Sequence, residues 1–209
     1  DAVRLVTQEE QLGTAHALLQ ASDTLRGKSD LVLVWAADMP LVREETLVKV
    51  VARQRENIGP LSIVTVMTGD ERGFGRVVRD GQGCVSKVVE HAHLTEEQHV
   101  IGELNAGIYC FDSEWLWSEL PTVLPSPSGE YYLTDMIGNA YSQGHSIGTV
   151  MMRDETEAIG VNTRLHLAQA EQALRNRVNR EWMECGVTMI DPDTAYIDPG
   201  VVIGQDTTI

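Results

Sequence analysis

An acidic residue that directly follows an apolar run is the first candidate for chemistry in this chain. Residues 31–41 read LVLVWAADMPL, and the apolar part stops at Asp38, just before the turn signal Met39-Pro40. A short apolar run with such a stop predicts a strand buried on both faces of an α/β sheet. Ligands of open α/β sheets bind just beyond the carboxyl ends of the strands, so Asp38 is a candidate metal or substrate ligand. The alternative is an aspartate that only caps the next helix.

An amide side chain offers a second oxygen ligand. Asn162 follows Gly160-Val161 and precedes a long helical pattern, so it could cap that helix or coordinate a metal. Mg²⁺ takes oxygen ligands, usually keeps several waters and needs only one or two protein ligands. Asp38 and Asn162, supplemented by substrate phosphates, would therefore be a sufficient set for Mg²⁺.

The loop at residues 11–16 has a composition suited to a nucleotide. Gly13 would let a ligand approach the backbone, and Thr14 could cap the helix that follows. The free N–H groups of a helix N-terminus suit a nucleobase carbonyl or a phosphate. An ordinary helix start after a loop is the alternative.

Two β-prone runs contain polar residues that suit a sugar. Gly75 lies at the start of a predicted hairpin, where glycine allows the backbone to lie against a bulky ligand or to form a β-bulge. Glu90 ends that hairpin and Asn105 lies within the next strand. A carboxylate and an amide can bind the hydroxyls and the N-acetyl group of a sugar, although either residue could instead lie on the surface.

Composition excludes several classes of function. The formal net charge of -15 argues against binding to nucleic acid, which requires a basic surface. The three widely spaced cysteines predict free thiols in a reducing compartment, so we expect a cytoplasmic protein. No apolar stretch approaches the length of a membrane span, so membrane insertion is not expected. The six histidines have no metal-ligand spacing, and neither a Gly-x-Ser-x-Gly motif nor a Walker-type loop occurs.

These residues need elements to position them. Predicted strands at 31–36, 61–67, 103–111 and 145–152 alternate with predicted helices at 15–21, 44–56, 113–120 and 132–143, and a hairpin spans 75–90. This alternation predicts an α/β fold with a mostly parallel sheet and helices on both faces. In the helix at 44–56, the apolar stripe is expected to contain Leu47, Val48 and Val51.

The pattern changes after residue 162. Residues 163–185 predict one long connecting helix that ends at Gly186. Beyond it, Ile197, Ile203 and Ile209 are six residues apart, which is typical of a parallel β-helix. So short a piece cannot bury a core, so more repeats are expected beyond Ile209. An edge strand with a turn is the alternative.

Taken in order, the motifs resemble those of the bifunctional GlmU enzymes, which join an N-acetylglucosamine-1-phosphate uridyltransferase to a glucosamine-1-phosphate acetyltransferase. They read QEEQLGTAHA, AADMPL, GFGRVVR, VVEH, ELNAGIY, GEYYLTDMI and EAIGVNTRL, followed by the six-residue spacing. The resemblance implies a Rossmann-like nucleotidyltransferase domain at 1–162, a linker helix at 163–186 and the start of a left-handed parallel β-helix at 187–209. The full-length parent would be a homotrimer that also acetylates glucosamine-1-phosphate from acetyl-CoA.

The resemblance further implies Mg²⁺-dependent transfer of a uridylyl group from UTP to N-acetylglucosamine-1-phosphate, giving UDP-GlcNAc and pyrophosphate for cell-wall precursors. Such a transfer depends on positioning and charge neutralisation, so no covalent nucleophile is expected. Asp38 and Asn162 match the metal ligands. The positions matching the substrate-binding residues are Gln8, Gly13 and Thr14 for uracil, Ala36 and Ala37 for the nucleotide, and Gly75, Glu90 and Asn105 for the sugar.

Some residues depart from the family pattern. Ala37 replaces a glycine, Ala106 a threonine, and Ala92-His93 a Lys-Asp pair. The chain begins without a methionine, and the resemblance implies a Gly-rich phosphate loop ahead of Asp1 and an acetyltransferase site beyond Ile209, so the chain alone is expected to be inactive. Two alternatives stay open: another sugar-1-phosphate nucleotidyltransferase, such as a glucose-1-phosphate enzyme, and a non-catalytic module that binds sugar nucleotides.

Overall fold

The structure, a computed structural model, describes residues 3–69 and 73–209 of the 209-residue chain. The described residues form two compact units. The first runs up to Ala36 and continues from Arg43 to Arg153, and the second contains Ala37–Val42 and Asp154–Ile209. All three cysteines are free thiols, and Cys110 alone among them is buried. Among the described helices, none combines the length and the apolar character that crossing a membrane requires.

A six-stranded mixed sheet forms the centre of the first unit. Its order is β4-β3-β5-β2-β6, and β1 also pairs with β5. Among the described strands, only β2 and β6 pair in parallel, so the expected mostly parallel sheet is wrong. The alternation of strands and helices is nevertheless that of a Rossmann-like α/β fold. The reason is β5, a ten-residue strand that runs against all three of its neighbours. The strands are β1 Leu31–Trp35, β2 Leu61–Met67, β3 Arg76–Arg79, β4 Val85–Val89, β5 Glu103–Asp112 and β6 Ile147–Met151.

The two apolar strands β1 and β2 differ in burial. In β2, every residue except Met67 is buried, and β5 and β6 pair with its two edges. In β1, only Val32 is buried and Trp35 is 46% exposed. The expectation that the run before Asp38 is buried on both faces is therefore wrong for β1, which pairs with a single described strand, β5.

Of the α-helices in the described residues, five belong to the first unit and one to the second. The core of the first unit lies where α4 and α5 cover the sheet, around Phe111, Leu116 and Met136, none of which is exposed. In α3 the buried residues are Thr46, Val50 and Gln54. The predicted stripe is wrong at Val48, which is exposed, whereas Leu47 and Val51 are half-buried. The helices are α1 Thr14–Gln20, α2 Ser22–Leu25, α3 Glu44–Glu56, α4 Ser113–Glu119, α5 Asp135–Ser142 and α6 Arg164–Glu184, with 3₁₀ turns at His91–His93, Leu120–Thr122 and Glu155–Ala158.

The second unit contains α6 and the chain that follows it. The helix begins after Thr163, whose hydroxyl accepts a hydrogen bond from the His166 N–H at 3.1 Å. After α6, Thr188 and Thr208 form an isolated parallel bridge. Because these residues are twenty positions apart, the chain completes one turn and returns alongside itself. No strand is assigned between residues 187 and 209, so the β-helix stays a prediction.

Candidate active site

A cavity of about 390 Å³ opens in the first unit beside the ends of β1 and β4 and the middle of β5. Its wall is mainly apolar, with a few polar side chains, as is typical of small-molecule sites. Five of the sequence-predicted substrate residues line it, namely Thr14, Ala36, Gly75, Glu90 and Asn105. The other lining residues are Ala17, Leu18, Val34, Trp35, Gly73, Phe74, Gly107, Tyr109, Leu133 and Thr134.

The carboxylate of Glu90 is oriented by a neighbouring helix. Glu90 follows β4, and Thr134 immediately precedes α5. The buried Thr134 hydroxyl donates to Oε1 of Glu90 at 2.6 Å. One carboxylate oxygen is thereby engaged by the protein, and the other stays available to a ligand that donates a hydrogen bond.

A bulge in β5 positions the amide of Asn105. Ile63 and Thr65 are two residues apart in β2, yet their β5 partners, Tyr109 and Asn105, are four apart. The extra residues are accommodated around Gly107, whose positive φ of 70° is unfavourable for other residues. As a result, Asn105 Nδ2 donates to the Tyr109 hydroxyl at 2.7 Å, and the Gly107 N–H donates to Asn105 Oδ1 at 3.3 Å.

Gly75, at the start of the hairpin, is hydrogen-bonded to β5. Its carbonyl oxygen accepts a hydrogen bond from the Asn105 N–H at 2.9 Å. A Cβ at this position would lie 2.8 Å from a Val88 methyl carbon and 3.2 Å from the Val89 carbonyl oxygen. Glycine is therefore required here for packing, whatever the ligand.

The loop before α1 is held by its own side chains. Gln8 Nε2 donates to the Gly13 carbonyl at 3.1 Å and lies 2.9 Å from Nδ1 of His16. The expectation that Thr14 caps the helix is wrong: Gly13 occupies the cap position, and the Thr14 hydroxyl accepts from the Leu133 N–H at 2.9 Å.

The backbone of Gly13 faces another part of the protein. Gly13 has a φ of 103°, and a Cβ on it would lie 2.6 Å from the carbonyl oxygen of Tyr131. The sequence predicted that Gly13 lets a ligand approach the backbone. On the side where a Cβ would lie, the Tyr131 backbone already occupies that space.

Asp38 and Asn162 come together within the second unit. The Val161 N–H donates to the Asp38 carbonyl at 2.8 Å. A Cβ built on Gly160 would be 3.8 Å from Asp38 Oδ2 and 3.8 Å from Asn162 Nδ2, so the two side-chain ends are at most twice that distance apart. Both residues are exposed, which leaves room for waters and phosphate oxygens.

The sequence offered Asp38 as a cap of the next helix and Asn162 as a cap of the long helix, and neither residue is a cap. The residue before α3 is Arg43, with no side-chain cap, and the cap of α6 is Thr163. A carboxylate and an amide on neighbouring backbone fit the donor set that Mg²⁺ prefers, once the amide turns its oxygen inward. Ala37 is exposed beside Asp38. No cluster of three or more His, Cys, Asp or Glu residues suited to a metal occurs in residues 3–69 and 73–209.

Sequence reasoning missed several cavity residues. Thr134 lies within the motif GEYYLTDMI, but only the fold brings it to Glu90. Tyr109 is the last residue of the motif ELNAGIY. Because it lies in an apolar strand, the sequence gave no indication that the Tyr109 hydroxyl is hydrogen-bonded to Asn105. Of the departures from the family pattern, Ala106 is buried and Ala92 is exposed, and neither lines the cavity.

Comparisons with known proteins agree with this architecture. Residues 2–188 match the family described as nucleotidyl transferase. A structure described as a glucose-1-phosphate thymidylyltransferase of Bacillus anthracis, solved with sucrose, superposes with a TM-score of 0.57 at 20% identity. This likeness covers 78% of the present chain and 61% of that one, and it supports the fold alone.

Curated relatives are closer in sequence. The chain is 41% identical to the bifunctional protein GlmU of Halalkalibacterium halodurans, over all of this chain and 46% of that protein. It is 46% identical to the bifunctional protein GlmU of Clostridium beijerinckii, over 97% of this chain and 44% of that protein. The chain thus spans about half the length of these relatives, and the resemblance drawn from the motifs is confirmed. The chain belongs to the nucleotidyl transferase family.

Proposed function

We propose that this protein transfers a uridylyl group from UTP to N-acetylglucosamine-1-phosphate and releases pyrophosphate. The cavity of the first unit would hold the sugar, and Asp38 with Asn162 would hold Mg²⁺. Acetyl transfer to glucosamine-1-phosphate, assembly into trimers and a β-helix beyond α6 belong to the same proposal for the longer protein. The parallel bridge between Thr188 and Thr208 is consistent with a first β-helix turn.

The observation that supports the sugar assignment is the composition of the cavity wall. Glu90 offers an acceptor and Asn105 an amide, against apolar side chains such as Leu18 and Leu133. An acetamido group carries an N–H donor, a carbonyl acceptor and a methyl group. These three parts match the carboxylate, the amide and the apolar wall.

The chemistry also fits the residue types. The sugar phosphate attacks the α-phosphorus in line with the departing pyrophosphate, which requires positioning more than a covalent nucleophile. When bound, Mg²⁺ would neutralise phosphate charge and orient the reacting groups. Asp38 and Asn162 would hold the cation, and Glu90 and Asn105 would fix the sugar relative to the phosphate. Gln8, on the loop before α1, and Thr14, the first residue of α1, would contact the nucleotide base.

Titration with nucleotide sugars tests the proposal. Calorimetric titration of the chain with UDP-GlcNAc, UDP-glucose and dTDP-glucose should rank UDP-GlcNAc first. Chelation of Mg²⁺ should weaken UDP-GlcNAc binding, and Asp38→Ala should remove this dependence while leaving the metal-free affinity unchanged. Glu114→Ala, which changes an exposed acidic residue on α4, is the matched control.

Each alternative has its own outcome. A preference for UDP-glucose or dTDP-glucose would favour a different sugar-1-phosphate nucleotidyltransferase. Tight UDP-GlcNAc binding that is equal with and without Mg²⁺, in wild type and Asp38→Ala alike, would favour a non-catalytic binding module. No binding to any of the three would refute the proposal.

A further inference from the structure

The hydroxyl of Tyr109 has a single defined orientation, which follows from the hydrogen bonds around Asn105. The Gly107 N–H can only donate, so the oxygen of the Asn105 amide must face it. The amide nitrogen consequently faces Tyr109 and, since an NH₂ group can only donate, the Tyr109 oxygen is the acceptor. The phenolic hydrogen therefore points away from Asn105.

That hydrogen has no protein acceptor among residues 3–69 and 73–209. The bond from Asn105 is the sole hydrogen bond of the Tyr109 hydroxyl in the described part of the chain. Tyr109 is only 5% exposed, and its side chain lines the cavity. A buried hydroxyl hydrogen without an acceptor is costly, so a ligand oxygen in the cavity would satisfy it.

The hydrogen stays on the oxygen at any working pH. Burial raises the pKa of Tyr109 well above its usual range, and the negative charge of Glu90 raises it further, although the bond from Asn105 acts in the opposite direction. Tyr109 is therefore a permanent donor beside Glu90, a carboxylate that accepts.

We infer that Tyr109 is a further substrate-binding residue, whose hydroxyl donates to the carbonyl oxygen of the sugar's acetamido group. This inference rests on the proposed function, because it takes the cavity as the sugar site. Glu90 would accept from the acetamido N–H while Tyr109 donates to the carbonyl. The two residues would bind the N–H and the carbonyl of the same amide. A sugar with a plain hydroxyl at that position cannot form both hydrogen bonds.

The test compares two ligands and two variants. Tyr109→Phe removes the hydroxyl and keeps the ring, and Tyr141→Phe is the control, since its hydroxyl donates to Asp80 outside the cavity. Calorimetric titration should show that Tyr109→Phe binds N-acetylglucosamine-1-phosphate about tenfold more weakly, the effect of one lost hydrogen bond. Its affinity for glucose-1-phosphate should change less than twofold, and Tyr141→Phe should match wild type with both ligands.

A change of ligand gives the same test without altering the protein. In an analogue with an N-thioacetyl group, sulfur replaces the carbonyl oxygen while the N–H and the methyl remain. Wild type should bind this analogue more weakly, whereas Tyr109→Phe should distinguish the two ligands much less. Wild type alone provides a test even if Tyr109→Phe is poorly folded. The inference requires wild type to bind the analogue more weakly than the N-acetyl sugar, and equal binding would contradict it.

The outcomes separate this inference from the proposed function. If wild type binds N-acetylglucosamine-1-phosphate and Tyr109→Phe binds it equally well, the inference is wrong and the proposed function stands. An equal loss with both sugars would overturn the assignment to the acetamido group. If wild type binds no N-acetylglucosamine-1-phosphate at all, both are wrong.

Discussion

The cavity of the first unit and the Asp38–Asn162 pair of the second are organised in opposite ways. Two polar residues of the cavity, Asn105 and Thr134, are buried, and each is hydrogen-bonded to a protein partner, Asn105 to Tyr109 and Thr134 to Glu90. Asp38 and Asn162 are exposed, and the hydrogen bond recorded between their segments joins backbone atoms.

The difference follows from the cost of desolvation. A buried polar group without a partner is expensive, so Asn105 and Thr134 each hold a protein partner before any ligand arrives. An exposed carboxylate or amide is solvated by water and needs no partner to persist. Substitutions in the cavity should therefore affect stability as well as binding, and substitutions in the exposed pair should affect binding alone.

The strongest test of this contrast replaces one glycine next to each region, Gly13 beside the cavity residue Thr14 and Gly160 beside the Asp38–Asn162 pair. Gly13→Ala should lower the free energy of unfolding by about 3 kcal/mol, because a Cβ would meet the Tyr131 backbone at a positive φ. Gly160→Ala should change it by less than about 0.5 kcal/mol, because its Cβ makes ordinary contacts. Urea denaturation measures both.

Gly129→Ala separates the two causes at Gly13. Gly129 also has a positive φ but nothing within 4 Å of an added Cβ, so this variant should lose only about 1 kcal/mol. Equal losses at Gly13 and Gly129 would show that the contact with Tyr131 contributes nothing.

Asn105→Ala should lower the free energy of unfolding by about 2 kcal/mol, since it leaves the buried Tyr109 hydroxyl without its donor. It should also weaken binding of N-acetylglucosamine-1-phosphate. Chemical denaturation and calorimetric titration measure the two effects. An unchanged stability would contradict the view that the cavity is held together by its own hydrogen bonds.

Glu103, at the start of β5, should affect stability less than the cavity residues do and more than the exposed Asp38–Asn162 pair does. Glu103 forms a two-point ion pair with Arg79, at 2.7 Å for each oxygen, and its side chain is 13% exposed. Burial alone would raise the pKa of Glu103, but the bonds from Arg79 lower it overall. The stabilisation is therefore full above the usual pKa of 4.5 and is lost as the pH falls through the lowered value.

Glu103→Gln should consequently cost less than about 1 kcal/mol at pH 7, because Arg79 is partly exposed and the pair is screened. The difference from wild type should shrink between pH 5 and pH 2, as measured by denaturation at each pH. Glu96→Gln, at an exposed position, is the control and should show no such pH dependence. A loss that is constant with pH would show that the charge of Glu103 is not the cause.

The smallest effect on stability is expected in the exposed pair. Asn162→Ala should change the free energy of unfolding by less than about 0.5 kcal/mol, because the side chain is exposed and does not cap α6. It should nevertheless reduce the Mg²⁺-dependent part of UDP-GlcNAc binding. A large loss of stability would place Asn162 with the cavity residues and remove the contrast between the two regions.

Much of the secondary structure was predictable from local pattern. The bounds of α3 and β2 coincide with those predicted at 44–56 and 61–67, because both segments combine a consistent pattern with clear breakers. The buried face of α3 was not predictable, since Val48 and Val50 are alike in type and only the position of the sheet decides which is covered. The direction of β5 was missed for a similar reason, because an apolar run carries no information about its orientation.

By itself, the sequence determined the family, through the order of its motifs, and the residue types of the candidate site, because side-chain chemistry does not depend on the fold. The tertiary structure decided which of those residues meet and how. The bulge at Gly107 turns Asn105 toward Tyr109, and the Tyr131 backbone occupies the space next to Gly13. Hydrogen bonds and steric contacts depend on distances between residues far apart in the chain, and only packing sets those distances.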